Sequence, residues 1–247
     1  MIFRLNIRDI VYALSDALDL VGIDDVAHGK RVAFMAQEVA RELGWSQERI
    51  DLLIFAGMMH DCGVSNTDTH THLVNEFDWI NSDEHCIRGA MLVNSSPLLF
   101  LHDILRYHHT HWDILEGSNL EQTLQENTNI IYLVDRVDAT RAGFLTSSLT
   151  TQEIREKVYQ KIEQSTGYFA PHLCEGLYKA GANLAFWYTL ENDPLQHTLR
   201  EWVDKGDYRS FSYDEIYQIA LIFARIVDEK SHFTAEHSHK VAKIARF

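Results

Sequence analysis

The sequence contains little cysteine and little proline, and fewer basic than acidic residues. Its three cysteines, Cys62, Cys86 and Cys174, show no C-x-x-C spacing, which argues against a disulfide framework or a zinc ribbon. Only three prolines occur in 247 residues, which leaves room for long helices. With 22 basic against 36 acidic residues the formal charge is −14, so we expect no binding to nucleic acid or to an anionic membrane.

Long apolar runs are missing as well. No stretch is apolar for the roughly 20 residues that cross a bilayer, and the first residues scatter their charges instead of forming a signal peptide. Together with the isolated thiols, this predicts a cytoplasmic protein. A hydrophobic content of 46% in 247 residues is enough for one substantial core.

Apolar residues recur at steps of three and four, which predicts an almost entirely helical chain without strands. Gly44, Ser46, Ser96 and a Ser212–Glu215 capping box mark helix ends. The segments 62–82 and 110–126 hold turn-forming residues and are predicted to be loops near a site. The predicted helices are 5–20, 24–43, 47–61, 83–95, 97–109, 127–142, 151–165, 171–190, 195–204 and 213–229.

What the sequence has in abundance is residues that bind metal ions. Imidazoles and carboxylates are ligands for zinc, manganese and iron, and there are too many here for one tetrahedral site. Two ions that share one carboxylate would use all of them. The candidate ligands are His28, His60, Asp61, His85, His108, His109 and Asp135.

The predicted helices place these ligands inward or at helix ends. His28 lies in register with the apolar face of its helix, and Asp61 follows Gly57 by one turn, where the glycine leaves space. Adjacent residues diverge by about 100° on a helix, so the pairs His60-Asp61 and His108-His109 can converge only where a helix ends. A lone inward histidine or aspartate is more often structural. Because five such groups fall on four or five helices, we favour a metal site.

Those residues carry a resemblance to the HD-domain metal-dependent phosphohydrolases, which are named for a His-Asp pair. His28, His60-Asp61 and Asp135 match the basic signature. His85 and His108-His109 match the additions of the HD-GYP branch, as do the strings HGKRVAFMA and STGYFAPHLCEGLYKAG. The resemblance covers roughly residues 10–190 and implies an all-α HD-domain helical bundle. HD-GYP members are cyclic di-GMP phosphodiesterases with two or three metals.

The resemblance also implies roles for the ligands. Asp61 would bridge two divalent ions and act with a water bound between them. One ion would also be coordinated by His28, His60 and Asp135. The other would also be coordinated by His85, His108 and His109. Asp24 lies where some members bind a third ion. This ligand set favours iron or manganese, with zinc, nickel and magnesium as alternatives.

Substrate-binding motifs of the branch are altered. Val64 stands where a lysine is usual, and HHTHWDILEGSNL lacks the Gly-Tyr-Pro motif. Of the basic segment expected after Asp135, only Arg141 is nearby. His111 and Trp112 are the other candidates for substrate contact. We therefore predict a phosphohydrolase or phosphodiesterase for a small phosphoester of nucleotide type, with cyclic di-GMP a weaker expectation than phosphoester hydrolysis.

The end of the chain resembles the opening of another HD-GYP domain. In IVDEKSHFTAEHSHKVAKIARF, His237 aligns with His28. This predicts a metal domain over 1–205, followed over 206–247 by a connector helix and the start of a second module. The alternative is an ordinary amphipathic helix.

Two other functions stay open. One is hydrolysis of a different nucleotide or dinucleoside polyphosphate. The other is a non-catalytic, metal- or nucleotide-binding module that regulates a second HD module in signalling or forms a homodimer.

Overall fold

The computed structural model describes residues 2–21, 27–64, 77–78 and 82–229, and within these ranges it is a helical bundle with one small sheet. The predicted all-α class is thereby confirmed. The prediction that the chain has no strands is wrong, because two short strands are present. The helices are α1 (Ile7–Val21), α2 (His28–Glu42), α3 (Gln47–Met59), α4 (Asp83–Val93), α5 (His102–Tyr107), α6 (Trp112–Glu116), α7 (Gln122–Ala142), α8 (Thr151–Gln164), α9 (Pro171–Ala180), α10 (Leu184–Thr189), α11 (Asn192–Asp204) and α12 (Tyr213–Glu229). A 3-10 turn, Leu99–Leu101, precedes α5.

Two strands, β1 (Ile2–Asn6) and β2 (Tyr208–Ser212), pair antiparallel with Ile2 opposite Ser212. Residues 5–6 are predicted to be helix and residues 208–212 to be part of the connector, and the two strands correct both predictions. The ribbon is largely exposed and only Asn6 and Phe211 are buried, so it has no strong alternation of apolar residues for sequence reasoning to detect. Its pairing comes from tertiary contacts, among them the hydrogen bond from Asn6 Nδ2 to the Val203 carbonyl at 2.8 Å.

Helix boundaries agree with the sequence where a capping residue marks them. Ser46 accepts from the Arg49 N–H at the start of α3, and the predicted Ser212–Glu215 capping box is confirmed. The predicted helix 97–109 instead begins as the 3-10 turn, and 171–190 is divided between α9 and α10 at Gly181. The expected loop 110–126 contains α6 and the first turn of α7.

The helix α2 lies at the centre and packs against α3, α7 and α9. Gly57 of α3 permits this, because a Cβ there would lie 2.5 Å from the Ala33 Cα of α2. The space beside Gly57 is therefore filled by backbone and is not open toward Asp61. Buried Lys30 fixes α2 to α1 through ion pairs with Asp16 and Asp19. This packing sets where His28, the first residue of α2, points.

The helix α12 packs on α1, and its Ile222 and Ile226 join the same hydrophobic core as α2 and α3. The domain boundary after residue 205 stays a prediction, although the core continues beyond it. Residues 230–247, with His237, lie outside the described residues, as does Asp24. Among the helices described, none has the length and apolar character needed to cross a membrane.

Candidate metal centre

The His-Asp pair lies where α3 ends. His60 is the C-cap residue directly after Met59, and its Nδ1 hydrogen bonds to the Gly57 carbonyl at 2.8 Å. Gly63 follows in the turn against α4, where a Cβ would lie 2.0 Å from the His85 carbonyl. The helix therefore ends at the His-Asp pair, as expected if both side chains are to converge. The turn that follows requires glycine, because it lies so close to α4.

His28, His60 and Asp61 form the first ligand group. The two Nε2 atoms are 3.3 Å apart, and Asp61 Oδ2 lies 3.8 Å from His28 Nε2 and 3.4 Å from His60 Nε2. His28 Nδ1 lies 2.8 Å from the carboxylate of Asp138 and therefore donates its proton there. In the neutral form with Nδ1 protonated, each ring would present its Nε2 lone pair to the same point. Such opposed acceptors fit a cation between them.

Asp61, His85, His108 and His109 form the second group. His85 Nε2 and His108 Nε2 are 3.1 Å apart, and Asp61 Oδ1 lies 3.4 Å from His85 Nε2. His108 Nδ1 hydrogen bonds to the Leu105 carbonyl at 2.8 Å, so its Nε2 is again the free acceptor. One carboxylate thus directs one oxygen to each group.

Asp135 borders both groups from α7. Its Oδ1 lies 3.3 Å from His28 Nε2 and 3.8 Å from His60 Nε2, and its Oδ2 lies 3.6 Å from His109 Nε2. Arg136 holds Oδ2 at 2.8 Å. Within the described chain, Asp135 Oδ1, His85 Nδ1 and His109 Nε2 are buried without a hydrogen-bond partner. Buried polar atoms without partners are rare, and bound ions would satisfy the acceptors among them.

The charges of the cluster divide its histidines into two sets. Burial lowers the pKa of His28 and His60, but the neighbouring carboxylates, chiefly Asp135 and Asp138 for His28 and Asp61 for His60, raise each pKa above 6.5 in sum. Burial, joined by the charge of other histidines, lowers the pKa of His85 to about 4 and that of His108 to about 3.

The same causes lower the pKa of His109 well below 6.5. For Asp61, burial raises the pKa, but His60 and His85 lower it to a net value below 3.8. The second group therefore offers neutral imidazoles beside an ionised carboxylate, which is the form that binds a metal.

Asp138, which the sequence reasoning missed, supports the first group. It is fully buried, accepts from His28 Nδ1 and pairs with the Arg31 guanidinium at 2.8 Å. Carboxylates that accept the second N–H of a ligand histidine fix its tautomer and orientation. The signal that was available is its position three residues after Asp135, on the same face of α7.

Residues 26–140 match the family model described as HD domain. The chain contains an HD domain. The two ligand groups lie within this match, and HD domains with such His/Asp clusters bind divalent metal ions.

Relatives of the HD domain are found in Vibrio cholerae serotype O1. The protein named 3′3′-cGAMP-specific phosphodiesterase 1 is 31% identical over 249 residues, covering 99% of this chain and 58% of the relative. The one named 3′3′-cGAMP-specific phosphodiesterase 2 is 26% identical over 187 residues, covering 70% of this chain and 34% of the relative. The chain thus spans a little over half the length of the first relative.

The fold of the HD domain is also found in a crystal structure of cyclic GMP-AMP specific phosphodiesterases in V. cholerae. The TM-score is 0.71 at 18% identity, over 97% of this chain and 64% of that one. At that identity the likeness concerns the fold.

Beside the ligands, the chain has a wall of stacked rings, which includes Tyr168 beyond the HD-domain match. His111 stacks on Tyr168 with centroids 3.9 Å apart, and both lie nearly parallel to Tyr132, which in turn contacts His109. The Asp78 carboxylate accepts from the Tyr168 hydroxyl at 3.0 Å and lies 3.3 Å from His111 Nε2. His111 is thus held next to the second group.

Two other candidates for substrate contact lie in different surroundings. Arg141 is buried, pairs with Glu191 at 3.1 Å and lies 3.8 Å from Asp138, so its guanidinium already faces two carboxylates. Trp112 is half-buried, contacts the His172 ring edge-on and donates its backbone N–H to the Tyr168 carbonyl. Through the hydrogen bond to Tyr168, Trp112 helps to hold the wall of stacked rings. Val64, in the position of the usual lysine, is buried.

Proposed function

We propose that this HD domain is a divalent-metal-dependent phosphodiesterase of cyclic dinucleotides, with 3′3′-cGAMP as the first candidate substrate. Support for the reaction comes from the ligand groups, and support for the substrate comes from the names of two relatives. We also propose a cytoplasmic, signalling role, as such substrates imply.

The observation that carries the proposal is the position of Asp61. Its Oδ2 lies 3.4 Å from His60 Nε2 and its Oδ1 lies 3.4 Å from His85 Nε2, so a single carboxylate faces two sets of imidazoles. We infer that it bridges two ions. Two such ions would activate a water molecule and stabilise the attacking and leaving oxygens of a phosphodiester.

The charges of the surrounding residues explain why the phosphate would need these ions. Arg31 pairs with Asp138, Arg136 with Asp135, and Arg141 with Glu191. These arginines are already engaged with carboxylates, and the chain as a whole is acidic. A phosphate anion would therefore gain its neutralising charge mainly from divalent cations.

The protein's own side chains would orient the reaction. Asp138, Gly57 and Leu105 fix three imidazoles so that each presents Nε2. The stacked ring of His111 offers a partly exposed surface beside the second group, on which a purine base could stack. We favour iron or manganese for the ions, with zinc, nickel and magnesium as alternatives, and a third ion would involve Asp24.

The proposal is tested by loading chelator-treated protein separately with iron, manganese and zinc. Metal content and cleavage of 3′3′-cGAMP, cyclic di-GMP, a dinucleoside polyphosphate and an activated phosphodiester are then measured. We expect at least two ions per chain, linear dinucleotide from 3′3′-cGAMP and weaker turnover of cyclic di-GMP. Two bound ions without cleavage of any phosphodiester would overturn the catalytic proposal, and preference for the polyphosphate would overturn its substrate.

A regulatory role is the second candidate. It is favoured by buried Val64, which stands where the HD-GYP branch usually has a lysine. In that case the domain would bind metal or nucleotide and control a second HD module or a homodimer. Metal binding and nucleotide binding without turnover would support it.

A further inference from the structure

Cys86 lies against the second ligand group. It follows His85 in α4, is 1% exposed, and its Sγ lies 3.8 Å from His85 Nε2 and 4.0 Å from His108 Nε2. Cys62, in contrast, packs within the hydrophobic core. The two buried thiols are therefore in different environments.

Polar contacts hold the Cys86 sulfur in place. The backbone N–H of His109 hydrogen bonds to it, and its S–H donates to the Ser82 carbonyl at 3.4 Å. An N–H directed at sulfur would stabilise a thiolate, because hydrogen bonds to a charged acceptor are the stronger ones. Burial, together with the charges of Asp83 and Asp61, nevertheless raises the pKa of the Cys86 thiol, so the sulfur is protonated in the metal-free protein and an ion would have to displace that proton.

The separations suit a shared ion. Zinc lies about 2.0–2.1 Å from imidazole nitrogen and about 2.3 Å from thiolate sulfur, so an ion with five protein ligands, at angles of about 90–110°, places nitrogen and sulfur about 3.1–3.6 Å apart. The observed values of 3.8 and 4.0 Å exceed the upper end of this range by a few tenths of an ångström. The 3.1 Å between the two imidazole nitrogens also fits one ion.

A second observation points to a ligand at the same place. The His109 side chain is 5% exposed, and in the described part of the chain its Nε2 has no hydrogen-bond partner. A ring nitrogen of His109 lies within 4.8 Å of the ligand atoms of Asp61, His85 and His108. A buried polar atom that lacks a partner, on a residue of this cluster, calls for an ion or a water nearby.

We propose that Cys86 is an additional ligand of the ion held by Asp61, His85, His108 and His109. The inference rests on the proposed function only in requiring metal at this site. On binding, the S–H proton passes to solvent and the thiolate sulfur joins the ion. Because thiolate favours zinc or iron over magnesium or manganese, the second site would select the softer ions.

Cobalt(II) reports the bond directly. The whole chain, treated with chelator and reloaded with cobalt, should show a thiolate-to-cobalt charge-transfer band in the near ultraviolet. The band should persist in Cys62→Ser and Cys174→Ser and vanish in Cys86→Ser, with circular dichroism checking that each variant is folded. A band that survives in folded Cys86→Ser overturns the proposal.

X-ray absorption of the zinc-loaded, unaltered protein does not depend on a variant's folding. We expect a sulfur shell at about 2.3 Å beside nitrogen and oxygen at about 2.0–2.2 Å. Two bound zinc ions without sulfur overturn the role of Cys86, whether or not phosphodiester is cleaved. A sulfur shell in a protein that cleaves no phosphodiester supports Cys86 and overturns the catalytic proposal instead.

Discussion

Hydrogen bonds at one ring nitrogen decide what the other nitrogen of each histidine can bind. His28 donates from Nδ1 to a carboxylate, while His60 and His108 donate from Nδ1 to carbonyls. All three are left with an Nε2 lone pair directed into the site. At the scale of the residue, metal affinity thus depends on the partners of the ligands as much as on the ligands.

Asp61→Asn tests the bridging carboxylate. The amide keeps the shape but removes the charge, and changes in residues around a metal already cost about 10- to 100-fold in affinity or activity. We expect a larger loss of metal and of any hydrolysis, with helical content retained. The matched control is Asp113→Asn, an exposed residue on α6. Two ions and full activity in Asp61→Asn would contradict the bridging role.

Asp138→Asn tests the support of His28. The variant weakens the acceptor of the Nδ1 proton and leaves Arg31 and Arg141 with less compensating charge. We expect metal affinity to fall about 10- to 100-fold and unfolding to occur at lower temperature.

Asp103→Asn is the control for that variant, because Asp103 contacts His102 at 2.8 Å on the surface. Competition with a chelator measures the affinities. Equal affinities in the two variants would remove Asp138 from the metal site.

Elements differ in how far the sequence predicts them. Amphipathic periodicity and capping residues predict α3, α8 and α12 closely, because these signals are local. The ribbon β1–β2 could not be predicted, since its partners lie about 200 residues apart and bury little surface. For the site, adjacency and helix ends predict the convergence of the ligands, whereas Asp138 and Cys86 depend on the packing of α7 and α4 against their neighbours.

A chain ending at Lys205 tests the C-terminal elements. It loses β2 and α12, with fully buried Phe211 and core residues Ile222 and Ile226. Because each such side chain stabilises by about 1.5–3 kcal/mol, we expect a lower melting temperature. Metal content should persist, since the predicted ligands lie between His28 and Asp135.

The comparison is a chain ending at Glu229, which keeps α12. If both chains melted alike, α12 would not contribute to the core. Loss of metal only in the shorter chain would show that the sheet supports the site.

At the scale of the whole molecule, the site brings carboxylates and histidines from distant parts of an acidic chain close together. Carboxylates of α7 and of the His-Asp turn face histidines from three other segments, so protonation at the site affects the stability of the whole bundle.

The metal-free protein should be most stable near pH 6.5. Below this pH the histidines of the unfolded chain become protonated. In the folded protein the pKa of His85 is about 4 and that of His108 is about 3, so these two rings stay neutral and stability falls as pH falls. Above it, folded His28 and His60 hold protons that the unfolded chain has lost, so stability falls as pH rises.

Urea unfolding of chelator-treated protein across this range measures the effect. Reloaded metal should remove the loss at high pH, because the ions replace the protons. A metal-free protein that is equally stable at every pH would contradict the charges assigned to the cluster.

The hydrogen bonds of His60 and His108 have a consequence for the helices that carry them. Each ring donates to the carbonyl three residues earlier, at the C-terminal end of α3 and of α5, where carbonyls lack partners within the helix. The metal-binding side chains are therefore also the helix caps. Release of an ion that lets either ring turn would fray the last helical turn. Amide hydrogen exchange near Met59 and Tyr107 should then follow metal occupancy, so the backbone itself would report whether the site is filled.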